Sequence, residues 1–126
     1  MIHGTGVDII QISRIQNSLE KYAERFENRV FTRREIEYCR SRPEPFKHFA
    51  ARFAAKEAVL KSLGTGMAAG ITWQDLEILN LESGQPALNI TGKCREICES
   101  LNLKDIHISM SHDDVYAIAQ AVAETG

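Results

Sequence analysis

Residues 45–63 read PFKHFAARFAAKEAVLKSL, and the placing of their apolar side chains decides the fold class. Phe46, Phe49, Phe53, Leu60 and Leu63 recur at helical spacing. At about 100° per residue they share one arc roughly 100° wide, which predicts a helix with one face turned to a core. Pro45 suits the first helical turn, and Gly64 suits the C-terminal cap. Lys56 lands near the middle of the apolar arc, Glu57 just beyond its edge and Lys61 further round the same side. A charge facing a core needs partners, because burying it unpaired is costly. Two readings stand side by side. One is a snorkelling lysine beside an ordinary i,i+4 Glu57–Lys61 pair. The other is a helix facing a cleft that holds a carboxylate and two ammonium groups.

Outward from this helix, the N-terminal side begins with a short strand over residues 3–10, in which Val7, Ile9 and Ile10 are apolar. Residues 12–29 then predict one amphipathic helix, with Ile12, Ile15, Leu19, Tyr22 and Phe26 in a single stripe. Thr32-x-x-Glu35 has the form of a capping box and predicts a helix over about 33–41. On the C-terminal side, strands are expected at 73–81 and 86–90 around a Ser83-Gly84-Gln85 turn, and a helix at 91–102. Residues 105–111 alternate, with Ile106, Ile108 and Met110 opposed to His107, Ser109 and Ser111. A turn at 112–114 leads to a last strand, Val115 to Val122. Helices and strands mix without a βαβ rhythm, so the class is α+β, an antiparallel sheet packed with helices.

The 126 residues suit one compact domain, 1–126; 44% hydrophobic and 25% charged residues argue against disorder. No basic segment followed by an apolar run opens the chain, and no stretch has the length to span a bilayer, so a soluble cytoplasmic protein is expected. Cys39, Cys94 and Cys98 form no CxxC pair, which favours free thiols over a disulfide or zinc framework. Residues 1–63 carry 12 of the 15 Lys and Arg but only 8 of the 17 acids, which leaves the second half acidic. A basic first half fits an acidic partner or a phosphate ligand as well as an unevenly charged surface.

Asp8 is out of place among strand-forming neighbours. It reads either as a cap for the following helix or as a ligand for a hard divalent cation such as Mg²⁺, which takes carboxylate oxygens and keeps waters or phosphates besides. Asp8 and Glu57 would suffice for such a site if the fold joins them. Ser109 and Ser111 share the polar side of their strand and His112 opens the turn, a set suited to phosphate or base contact, or simply to an exposed strand face. No GxSxG elbow supports a Ser/His hydrolase.

Three segments together resemble one family. Gly6-Val7-Asp8 followed by Arg14 is similar to its opening GxD…R motif, Phe53 to Lys61 (FAAKEAVLK) to its FxxKExxxK motif, and Ile108 to His112 (ISMSH) to its closing SxSH segment. Phe31-Thr32-x-x-Glu35 and Gly84-Gln85-Pro86 also match; Gln85 stands where a lysine is common. The family is the holo-acyl-carrier-protein synthases, the short bacterial branch of the 4′-phosphopantetheinyl transferases. The resemblance implies transfer of phosphopantetheine from coenzyme A to a serine of acyl carrier protein, as a step of lipid metabolism. It implies Mg²⁺ on Asp8 and Glu57, with Glu57 and Lys61 catalytic. It implies coenzyme A contacts from Lys47, Arg52, Lys56, Lys61, Gly64, Pro86, Ser109, Ser111 and His112. It also implies a homotrimer with active sites between subunits. Arg14, Lys21 and Arg25 lie opposite the apolar stripe of the first helix and suit docking of an acidic carrier-protein helix.

Two other classes use the same features. A Mg²⁺-dependent nucleotide phosphohydrolase would use the same carboxylates with water as nucleophile. A nucleic-acid-binding module would use the basic half, but the overall charge is −2 and no aromatics interleave with the basic residues, so no nucleic-acid partner is expected.

Overall fold

The computed structural model describes residues 1–67 and 70–126, and its centre is a helix that is buried on almost every side. The elements run β1 (Ile2–Gln11), α1 (Ile12–Tyr22), α2 (Glu24–Val30), α3 (Arg33–Arg40), α4 (Pro45–Leu63), a 3-10 turn (Trp73–Asp75), β2 (Leu76–Asn80), β3 (Pro86–Ile90), α5 (Gly92–Ser100), β4 (Leu103–His112) and β5 (Tyr116–Thr125). One antiparallel sheet has the order β1-β5-β4, and β2 and β3 form a separate hairpin. This is the α+β arrangement that the mixed periodicities predict.

Pro45 opens α4, and Gly64 closes it in the left-handed conformation at φ 81°, with its N–H shared between the Leu60 and Lys61 carbonyls. The arc of large apolar residues describes only one side of this helix. Ala50, Ala51, Ala54, Ala55 and Ala58 are buried as well. Small residues carry little hydrophobic signal, yet they let a helix lie close to a sheet. The inner sheet face answers in kind: Ala117, Ala119, Ala121 and Ala123 alternate along β5, all buried, and Gly4 and Gly6 face inward from β1. A Cβ placed on Gly6 would fall on the Ala58 carbonyl oxygen, and one on Gly4 on that of Ser62. Backbone meets backbone there, and no side chain fits between.

Two expectations need correction. The helix over 12–29 is two helices, broken at Ala23, whose φ of 46° is unusual for a residue with a Cβ. The break ends the single stripe: Ile12, Ile15 and Leu19 are buried, Tyr22 is exposed, and α2 turns so that Val30 and Phe31 enter the core. Neither Gly nor Pro marks the break, so local sequence carries no sign of it. The strand over 73–81 begins as a 3-10 turn, because Asp75 accepts from the Thr72 N–H at 3.3 Å and from its hydroxyl at 2.9 Å. That local capping wins over extension for one turn, after which Leu76–Asn80 pairs with Pro86–Ile90.

Gly6→Ala is expected to lower the unfolding free energy by ~1–3 kcal/mol, the usual cost of overpacking a tight contact. The urea midpoint measures it; an unchanged midpoint would show that β1 and α4 need not touch.

Candidate functional site

The close approach of β1 to α4 decides what sits beside it. Asp8 follows Gly6 by two residues and so shares its inward face, at the point where the helix presents Glu57 and Lys61. Lys61 Nζ donates to Asp8 Oδ1 at 3.1 Å and to the Val7 carbonyl at 2.9 Å. Asp8 and Glu57 line one cleft of about 290 Å³, together with Arg14, Ile15, Ser18, Phe26 and Phe53. Burial raises the Glu57 carboxyl above the ordinary glutamate range, the Asp8 charge raises it further, and Lys61 opposes both. As an isolated ion pair, Asp8–Lys61 would add little stability, because Lys61 is half exposed. The chemistry of the donor set says more: two carboxylates share an open cleft, one of them resisting ionisation in part because of the other. A hard divalent cation is what such oxygens accommodate.

Lys56 does not line this cleft, contrary to the expectation that it lies along it. Its ammonium is fully buried on another side of α4 and donates to Glu35 Oε1 and the Val30 carbonyl, both at 2.7 Å, and to the Trp73 carbonyl at 3.3 Å. Glu35 is also fully buried. Its Oε1 accepts from the Thr32 N–H at 2.9 Å, completing the predicted capping box, and its Oε2 accepts from the Ile78 N–H at 2.8 Å. Desolvation pulls the lysine down from its usual range, with the Glu35 charge pulling back. Removing one member of such a pair generally costs ~3–5 kcal/mol, since it strands the other charge.

The remaining predicted residues fall in other places. At the N-terminal end of α4, Lys47 pairs with Asp114 at 2.7 Å and Glu44 at 3.2 Å, which raises its pKa. The His48 ring lies 5.8 Å from that of His112 and 5.7 Å from that of Tyr38. Arg52 is buried rather than open to solvent. Its guanidinium stacks 4.4 Å from the Tyr38 ring and donates from Nη2 to Asn80 Oδ1, while its Nε has no partner among the described residues. Pro86 pairs with Asn80 across the hairpin, beside this group. Lys47 precedes Glu57 by ten residues of helix, about 15 Å at 1.5 Å per residue. Gly64 lies at the opposite end, closing α4. Ser109 and Ser111 point to the outer face of the sheet, into a groove of about 180 Å³ with Val7, Ile118 and Gln120. One chain therefore brings Asp8, Glu57, Lys61 and Arg14 together and holds Ser109 and Ser111 on the opposite side of the sheet.

On the helical surface, Arg14 lines the Asp8–Glu57 cleft. Arg25 lines an adjoining groove of about 370 Å³ with Tyr22, Phe26 and Arg29, so Phe26 is common to both. Lys21 lies over the Tyr22 ring at 5.3 Å. Arg29 and the joining role of Phe26 are not evident in the sequence, because the break at Ala23 reorients everything after it; Ser18, on α1, carries no pattern signal of its own. Asp105, His107 and Glu124 cluster at the far end of the sheet, in register with Ile2 rather than Asp8.

Comparison with known proteins gives the family. Residues 4–121 match the model of the 4′-phosphopantetheinyl transferase superfamily. A holo-[acyl-carrier-protein] synthase of Geotalea daltonii is 48% identical over 124 residues, covering 98% of this chain and 99% of its own. One of Koribacter versatilis is 42% identical at the same coverage. Among solved structures, the Neisseria meningitidis holo-[acyl-carrier-protein] synthase superposes with a TM-score of 0.92 at 30% identity, covering 99% of this chain and 100% of that one. The Bacillus anthracis enzyme, in complex with CoA (3′,5′-ADP), gives 0.82 at 33% identity, covering 100% and 99%.

The raised Glu57 pKa has a stability consequence. A carboxyl that holds its proton more tightly when folded stabilises the fold below its unfolded pKa and loses that contribution as pH rises through the folded value. Glu57→Gln is therefore expected to melt above wild type at pH 7.5, with the gain shrinking as the pH falls to the ordinary glutamate range. Thermal melts across pH 4–8 measure this, and a variant less stable at pH 7.5 would contradict the burial and Asp8 repulsion that raise this carboxyl.

Proposed function

The chain belongs to the 4′-phosphopantetheinyl transferase superfamily, and from that premise we propose how its cleft moves phosphopantetheine from coenzyme A to a serine of apo acyl carrier protein. The chain acts as a holo-[acyl-carrier-protein] synthase. The serine oxygen bonds to the β-phosphorus of coenzyme A, the bond from that phosphorus to the bridging pyrophosphate oxygen breaks, and adenosine 3′,5′-bisphosphate leaves. The convergence of Asp8 and Glu57 on one cleft, with Lys61 paired to Asp8, carries this reading.

Asp8 and Glu57 are the residues that would hold Mg²⁺, which when bound offsets the charge of the pyrophosphate. Lys61, half exposed beside Asp8, adds positive charge for the departing bisphosphate. Glu57, on the cleft wall, is the candidate to take the serine proton, directly or through a water. Arg14 on the cleft wall, with Lys21, Arg25 and Arg29, forms a basic approach for an acidic helix of the carrier protein, and Tyr22 and Phe26 supply apolar contact.

The outer sheet face supports a homotrimer, acting as one domain per chain in the cytoplasmic route to fatty acids. Val7, Ile9 and Ile118 are exposed there, an apolar surface that a second copy would cover. Ser109 and Ser111 share that face, so they can reach a neighbour's cleft though not their own. Lys47, Arg52, Pro86 and His112 gather at the N-terminal end of α4, where Lys47 and the exposed His112 would be the groups to meet a coenzyme A phosphate. No described helix is long and apolar enough to cross a membrane.

Mass spectrometry of apo carrier protein after incubation with coenzyme A and Mg²⁺ is expected to show gain of the phosphopantetheine mass, and Glu57→Gln to abolish it with the fold intact. Release of bisphosphate from coenzyme A without carrier protein would favour the phosphohydrolase instead. For docking, Arg14→Glu is expected to raise KM for the carrier protein at least ~10-fold, as loss of a steering contact does, with far less effect on KM for coenzyme A. An equal rise in both would remove the docking surface.

A further inference from the structure

We propose that Lys56 and Glu35 are positioning residues for Glu57, acting from outside the cleft; the inference rests on the transferase reading above. The pair joins five parts of the chain at one point. Lys56 stands on α4, Val30 ends α2, Thr32 and Glu35 open α3, Trp73 starts the 3-10 turn and Ile78 belongs to β2. The ammonium has three donors and finds three acceptors, and each carboxylate oxygen of Glu35 accepts a backbone N–H.

A buried ion pair is a poor choice if cohesion is all that is needed, because apolar residues of similar volume serve as well or better. What it supplies is direction. Hydrogen bonds at 2.7–2.9 Å fix distance and angle, and here they fix the rotation and height of α4 at position 56. Consecutive helical residues point about 100° apart, so a fixed Lys56 also fixes where Glu57 leaves the helix. The other side of α4 is held by the Gly4 and Gly6 backbone against the Ser62 and Ala58 carbonyls. Glu57 sits between these two holds, facing Asp8. Apolar contacts alone would let the helix slide or turn by fractions of an ångström, and Glu57 would lose its alignment with Asp8 and the substrate first.

The test is the double variant Lys56→Met with Glu35→Gln, which removes both charges together and leaves an amide oxygen for one backbone N–H. With the fold verified by thermal melt, kcat is expected to fall ~10–100-fold, the scale of a sub-ångström to 1 Å misplacement. The Mg²⁺ concentration for half-maximal rate should rise, while KM for coenzyme A at saturating Mg²⁺ stays within about 2-fold of wild type, because no direct contact is lost. A folded variant with unchanged kcat would reduce the pair to a structural role. A raised KM for coenzyme A with unchanged kcat would make Lys56 a substrate ligand after all. Either result overturns the proposal. If the double variant does not fold, Lys56→Arg keeps the charge but changes the reach, and the same split between kcat and KM decides. Wild-type protein that fails to load carrier protein would overturn the transferase reading itself, a failure separate from these.

Discussion

The contact between the backbone of β1 and that of α4 is the constraint on which the site depends. A helix and a sheet ordinarily stand apart by the thickness of two side chains. Here Gly4 and Gly6 contribute none, the facing helix residues are alanine or serine, and β5 continues the surface with four alternating alanines. Because the layers touch, a short aspartate on the strand can reach Lys61 on the helix and share a cleft with Glu57. A side chain at position 6 would have to push the strand away, and Asp8 would travel with it. The glycine of the Gly-x-Asp motif and its aspartate thus have one physical purpose between them: the first makes the approach and the second uses it.

Two lysines five positions apart on that helix illustrate how surroundings assign roles. Lys61 is half exposed, with its ammonium on Asp8 and the Val7 carbonyl. Lys56 is fully enclosed and saturated by three acceptors. The first keeps access to an anionic ligand; the second has exchanged access for rigid placement. The difference comes from which side of α4 meets Glu35 and which side meets β1.

Ser109 and Ser111 lie across the sheet from Asp8, since side chains alternate between faces along a strand and Asp8 and Met110 align with Ala119 on the inner one. The exposed Val7, Ile9 and Ile118 lie on the same outer face as the serines. The apolar surface and the serines thus share one side of the sheet, away from the Asp8–Glu57 cleft.

The chain's own pattern was enough for the α+β class, for most strands and helices, for the capping box at Thr32–Glu35 and for suspicion of Asp8, Glu57 and Lys61. These are local signals: a period of two or of 3.6, a cap, a charge where an apolar residue is expected. Local periodicity could not place the break at Ala23, because no residue type there demands it. It placed Lys56 within the apolar arc and Lys61 beyond its edge, but could not name the partner that satisfies the buried ammonium, because Glu35 stands 21 residues earlier. Resemblance of motifs united Asp8 with Glu57 in advance. The tertiary structure alone decided the means: a strand and helix remote in sequence approach closely because glycine and alanine leave room, and that distance is a property of packing rather than of any one segment.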